Sequence, residues 1–115
     1  MITLRQVIQS LELEVLTPHD RDRGVHGGYA SDLLSCVMAG ARQQFLWVTL
    51  QSHSNVVAVA NLLGLAAVII TEGKRPEAEV IERARQEGVL LLLSPHSTFT
   101  VAGKLAALGI SGDLE

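Results

Sequence analysis

Three clusters of small polar residues, histidine and glycine recur along this 115-residue chain. The first is DRDRGVHGGYASD, residues 20–32, which holds Arg23, His26, Gly27, Gly28, Ser31 and Asp32. The second holds Ser52, His53, Ser54 and Asn55, and the third Ser94, His96, Ser97 and Thr98. A further polar turn, Glu72, Gly73, Lys74 and Arg75, lies between them. Each cluster precedes a helix-like stretch. The start of a helix leaves backbone N–H groups unpaired, and those groups favour an anion. The chemistry on offer is therefore the holding of a phosphate- or carboxylate-bearing small molecule. The same residue types also make ordinary caps and turns, so plain capping or subunit packing is the competing reading.

Catalysis finds less support. The phosphate-loop form GxxxxGK[ST] does not occur, and GVHGGYASD offers no lysine to reach a phosphate. GxGxxG and the GxSxG nucleophile elbow are absent too. Ser35, Ser52 and Ser54 have no base at a recognisable offset. Asp32 with His26 would make an acid–base pair, but a carboxylate in the first turn of a helix is explained by the positive end of the dipole. His26, His53 and His96 fall on separate loops with no HExxH spacing, even with Asp20 and Asp22 near the first. His19 follows Pro18 and reads as a solvated residue. The expectation is no catalytic residue, no metal, no cofactor and no enzymatic activity.

Composition sets the outer bounds. Hydrophobic residues make up 48% and charged residues 18%, which fits one globular domain over residues 1–115. The apolar residues are mostly aliphatic, and the aromatic ones are Tyr29, Phe45, Trp47 and Phe99. The net charge is −3 and no basic stripe runs through the chain, so nucleic acid is not an expected partner. The lone Cys36 leaves no internal disulfide and reads as a buried, inert thiol in a reducing cytoplasm. No secretory signal is visible at the start, and VVAVANLLGLAAVII falls short of the roughly 20 residues of a membrane span.

The elements that must carry these clusters follow a repeat. Gly40, Gly64 and Gly88 are evenly spaced, and Gly109 follows. Each glycine comes after a helix-like stretch, where it accepts the left-handed conformation that ends a helix. The first three precede FLWVTL, AAVIIT and VLLLLS, which read as strands. Thr3 and Gln6 predict a capping box on a first helix ending near Ser10, with Ile2 and Val7 as a hydrophobic staple. A strand over residues 12–16 leads into a long polar loop that runs to Tyr29. A helix then opens at Ala30 or Ser31 and runs through Met38. Strands at residues 45–50, 66–71 and 89–93 alternate with helices at 55–63, 76–87 and 98–108. Ser54 and Ser97 are placed to cap two of those helices. Pro76 fits a first helical turn, and Glu79 with Arg83 forms an i,i+4 pair beside inward-facing Val80 and Ala84. The central strands lack alternation, so both their faces are buried. The fold class is α/β: a single three-layer domain, with a mostly parallel sheet of about four strands and helices on both faces. Every loop after a strand then emerges on one carboxyl edge, where open sheets bind ligands. Residues 111–115 read as a tail, or as the point where a longer relative continues.

The strings GGYASDLLSCVM, QSHSNVVAVA, AAVIITEGKRP and SPHSTFTVAGKL together resemble the DRTGG domain, over residues 3–110. The resemblance implies a small α/β domain similar to the N-terminal domain of HPr kinase/phosphorylase, which lacks that enzyme's phosphate loop. It also implies a regulatory or dimer-forming role, as beside CBS domains in regulated pyrophosphatases and in phosphotransacetylases. The chain departs from the family's Asp-Arg-Thr-Gly-Gly. Gly27 and Gly28 match the glycine pair, His26 stands for the threonine, and the Asp22–Arg23 pair is displaced by Gly24 and Val25. The glycines are expected to keep a tight turn whose N–H groups face a partner.

The functional expectation is a non-catalytic regulatory or ligand-sensing domain acting as a homodimer, with the helix in DLLSCVMAGA as the candidate interface. The alternative is an adenine-nucleotide or phosphometabolite-binding module using the carboxyl edge and the Gly27–Gly28 turn. A protein partner is the remaining possibility.

Overall fold

The computed structural model describes residues 1–19 and 22–112. The candidate-loop residues Asp20 and Arg21, and residues 113–115 of the tail, lie outside the described residues. In chain order the elements are α1 (Leu4–Leu11), β1 (Glu14–Val15), β2 (Gly27–Ala30), α2 (Leu34–Gly40), β3 (Phe45–Thr49), α3 (Ser54–Leu63), β4 (Ala67–Ile70), α4 (Ala78–Glu87), β5 (Leu91–Leu93) and α5 (Thr98–Ala107). The five strands form one sheet in the order β1-β5-β4-β3-β2. β2, β3, β4 and β5 are mutually parallel, and β1 alone runs antiparallel, beside β5.

Each central strand sends alternate side chains to two cores. Phe45, Trp47, Val68, Ile70, Leu91 and Leu93 join Val37, Val56, Val57, Val80 and Ala84 under α2, α3 and α4. Leu46, Val48, Ala67, Ile69 and Leu92 join Leu4, Val7, Val101 and Leu105 under α1 and α5. Burial of both faces is what aliphatic runs without alternation require, and it gives the expected three layers.

Local signals act as elementary chemistry predicts in several places. Thr3 caps α1 in a complete capping box with Gln6. Gly64 and Gly88 end α3 and α4 with φ of 65° and 72°. Gly40 works differently. It is the last residue of α2, and a Cβ there would run into the Tyr29 ring, so it permits close packing and leaves the helix stop to Ala41.

Several expectations need correction. α2 begins at Leu34, later than the expected Ala30 or Ser31, because Ala30 ends β2. Ser54 does not cap α3; the N-cap is His53 and Ser54 is the first helical residue. The sheet has five strands, because Gly27 and Gly28 lie in β2, paired with Phe45 and Leu46, where the sequence read as a loop. Glycine lowers strand propensity, so the strand is masked in the sequence. Pro76 sits before the α4 N-cap, Glu77, and outside the first turn. Arg83 pairs with Glu87, its Nε 2.8 Å from Oε2, in place of Glu79.

Candidate functional site

β1 runs opposite to the rest of the sheet, so the loop that follows it emerges at the amino edge. His26 N–H donates to the Gln44 carbonyl at the entry to β3. Arg23 lies beside Ala66, Gly88 and Leu90, which precede β4 and β5. Arg23, His26 and Gly27 are therefore at the end of the sheet away from the other candidates. The carboxyl edge gathers two histidines, His53 and His96, and His26 is not with them.

The first loop is consumed by the fold. Asp22 Oδ1 accepts from the backbone N–H of Arg5 and of Arg23, both at 3.0 Å. The Arg5 N–H at the start of α1 is the main reason its carboxyl is held below the ordinary aspartate value. Neither glycine of the pair adopts positive φ. A Cβ on Gly27 would stand 2.8 Å from the Phe45 ring and from Ser111 O, and one on Gly28 would stand 3.1 Å from Ile110. Gly28 N–H donates to Ser111 O at 3.1 Å. The pair lets β2 lie close to Phe45 and to residues 110–112; it does not form an anion-binding turn.

Ser31 and Asp32 do reach the carboxyl edge, at the end of β2, and there they act as latches. Ser31 O accepts from Trp47 Nε1 at 2.8 Å, and its Oγ accepts from Leu33 N. Asp32 Oδ1 accepts from Thr49 Oγ1 at 2.8 Å and from Leu50 N at 2.9 Å. The expected role of Asp32 at a helix dipole gives way to this strap between β2 and β3, because α2 begins two residues later.

The third cluster is also closed. Ser94 is buried, and its Oγ accepts from His96 N. Ser97 caps α5, accepting from Thr100 N at 3.2 Å. Glu72 Oε2 accepts from Thr98 N at 3.0 Å, and the Thr98 and Thr71 hydroxyls lie 2.7 Å apart.

The second cluster is different. The N-cap of α3 is His53, with no side-chain cap. Among the described residues, Ser52, His53, Ser54 and Asn55 make no side-chain hydrogen bond. Ser52, His53 and Ser54 line an open cleft of about 550 Å³ together with Arg75, Glu77, Glu79, Val80 and Arg83. Arg75 and Arg83 are cations that the candidate set left out. The signal for Arg75 was its place in the polar loop after β4; Arg83 read only as a helix-face partner. Both arginines are held by glutamates outside the cleft lining, Glu14 and Glu87. Glu77 and Glu79 have no ion-pair partner among the described residues. The cleft offers an open helix start, two arginines and a histidine to an anion, with two carboxylates limiting how much negative charge it takes.

Among the described residues no group of three or more His, Cys, Asp or Glu is arranged to hold a metal, and no helix is long and apolar enough to cross a membrane. Cys36, expected buried, is exposed on α2.

The DRTGG domain model matches residues 32–108. The match begins after the loop that departs from the family's signature. A solved structure of the CBS and DRTGG domains of the regulatory region of Clostridium perfringens pyrophosphatase, complexed with its activator diadenosine tetraphosphate, superposes with a TM-score of 0.68 at 15% identity. That likeness covers 89% of this chain and 45% of the other, so the chain spans under half of that structure's length. Comparison with curated proteins gives no match.

Proposed function

We propose, from the premise that the chain belongs to the DRTGG domain family, that it is a non-catalytic regulatory domain that senses a small anionic ligand and acts as a homodimer. The ligand class is an adenine nucleotide or another phosphorylated metabolite. The observation that carries this reading is the uncapped start of α3 facing the 550 Å³ cleft beside two arginines. Unpaired N–H groups at a helix start and nearby guanidinium groups are what a phosphate recognises. The pyrophosphatase regulatory region of the same fold is complexed with a nucleotide activator, which supports the ligand class.

The homodimer reading rests on α2. Leu33 and Met38 are 61% and 50% exposed there, next to Cys36. Large apolar side chains left exposed near one another in sequence are a mark of an interface. Light scattering tests it: a doubled mass is expected, and a monomer at high micromolar concentration overturns it.

The ligand reading is tested by thermal shift with AMP, ADP, ATP, diadenosine tetraphosphate and sugar phosphates. A ligand at a hundredfold its Kd adds about 2.7 kcal/mol, a rise of several degrees for a domain of this size. Ser54→Asp places a carboxylate at the helix start, where the dipole favours it, and is expected to abolish the shift while the protein stays folded. His26→Ala, at the opposite edge, is expected to leave the shift intact. No shift with any of these compounds overturns the ligand reading and turns the search to protein partners.

A further inference from the structure

Arg75 is the one cleft cation whose present partner comes from a distant part of the chain. Its Nη2 donates to both oxygens of Glu14, at 2.6 and 2.8 Å. Glu14 belongs to β1, the two-residue antiparallel strand at the edge of the sheet, and pairs there with Leu93 at the carboxyl end of β5. The backbone that carries Arg75 is firmly placed. Gly73 N–H donates to Ser94 O, Glu72 N–H to His96 O, and Arg75 N–H turns back to Gly73 O. The side chain, by contrast, is free to exchange partners. It and Glu14 are 53% and 54% exposed, so solvent screens the ion pair and holds it weakly. Arg83 sits differently, on the helix body and tied to Glu87 one turn along.

We propose that Arg75 is the exchangeable anion-reading arm of the cleft: it rests on Glu14 when the cleft is empty and turns to a ligand phosphate when the cleft is filled. This rests on the ligand reading given above. A phosphate offers a guanidinium the same two-oxygen geometry as a carboxylate with more charge, so it competes with Glu14 on better terms. The exchange frees Glu14 and removes one of the ties between β1 and the rest of the sheet. Ligand occupancy is thereby reported at the far edge of the domain.

The test measures ADP binding by calorimetry at fixed ionic strength, with wild type, Glu14→Gln, Arg75→Gln and the double variant. Removing a competing surface carboxylate is expected to tighten binding about two- to fivefold. Loss of a charged hydrogen-bond donor to phosphate in Arg75→Gln is expected to weaken it by about tenfold or more. In the double variant the Glu14 effect disappears, as coupling through one shared group requires. A purely structural ion pair would instead lower the Tm of Glu14→Gln and leave its Kd unchanged. Hydrogen exchange gives a second readout. The Leu16 amide, which donates to Leu91 O beside β1, is expected to exchange faster when ADP saturates the protein. Wild-type binding with an unchanged Kd in Glu14→Gln and an unchanged Leu16 amide overturns the exchange and leaves the ligand reading standing. Absence of binding by ADP and by each of the other compounds in the thermal-shift series, in wild type and Glu14→Gln alike, overturns both.

Discussion

α3 and α5 both begin at the carboxyl edge, and both are entered through a His-Ser pair, His53–Ser54 and His96–Ser97. In α5 the serine is the N-cap, and its hydroxyl accepts from Thr100 N. Glu72 takes Thr98 N as well, from a neighbouring loop. In α3 the helix starts one residue earlier relative to the pair. The histidine is the N-cap, the serine is already inside the first turn, and no side chain closes the end. The same residue types therefore make a satisfied cap in one place and an uncapped helix start in the other. What separates them is where the pair falls: each N-cap stands equally far beyond its strand, Thr49 to His53 and Leu93 to Ser97, and the His-Ser pair lies one residue later in the loop before α3.

The largest effect is expected at the α5 cap. Ser97→Ala is expected to cost about 1 kcal/mol, the typical loss for a removed N-cap, read as a lower midpoint in denaturant. It should leave ligand binding at α3 unchanged. A loss of binding would mean that the two ends are not independent.

His53→Ser moves the α5 arrangement onto α3. His53 already has the extended backbone of an N-cap, with φ −80° and ψ 162°. The new hydroxyl is expected to add up to about 1 kcal/mol of stability while weakening binding, because it occupies the N–H groups a ligand would use. Greater stability with undiminished binding would remove the open helix start from the site.

Glu72 separates cap from strain. It holds a left-handed backbone, φ 61°, while its carboxylate serves α5. Glu72→Ala loses the cap and keeps the strain; Glu72→Gly loses the cap and relieves the strain. Chemical denaturation is expected to find the glycine variant more stable than the alanine variant by about 1 kcal/mol. Equal stabilities would show that the conformation costs nothing here.

The smallest effect is expected at a third helix start, α1, which Asp22 closes from the first loop. Its carboxyl is held below the ordinary value in the fold. Stability from it is present above the unfolded value of about 3.9 and is lost as the pH falls through the lower folded value. Asp22→Ala is therefore expected to lower the Tm slightly at neutral pH and to match wild type at the acid end of a titration. An equal gap at every pH would assign the effect to packing.

Much of this architecture is legible in the residues themselves. Thr3 with Gln6 marks the start of α1, Ser97 the start of α5, and Gly64 and Gly88 the ends of α3 and α4. These signals are local, each settled within one turn of chain. AAVIIT and VLLLLS announce strands buried on both faces by their lack of alternation, and both cores confirm the layers. β2 was hidden because two of its four residues are glycines. Their need comes from Phe45 and from Ser111, which are distant in sequence. Among the described residues the candidates His53, Ser54 and Asn55 make no side-chain hydrogen bond, and neither do Arg23, His26 and His96, but of these only His53 and Ser54 line the arginine cleft. Ser31, Ser94 and Ser97 are spent on hydrogen bonds within their own turns, and Asp32 and Thr98 on bonds to neighbouring segments.

The α/β class, the three layers, most helix boundaries and the polar residues offered at strand ends follow from local pattern, because periodicity and capping act over a few residues. Tertiary structure alone decided the direction of β1, and with it which end of the sheet Arg23, His26 and Gly27 occupy. It also decided that Arg75 reaches Glu14 across 61 positions of chain. Strand direction and ion-pair choice depend on which distant segments the two cores bring together, and no local pattern carries that information.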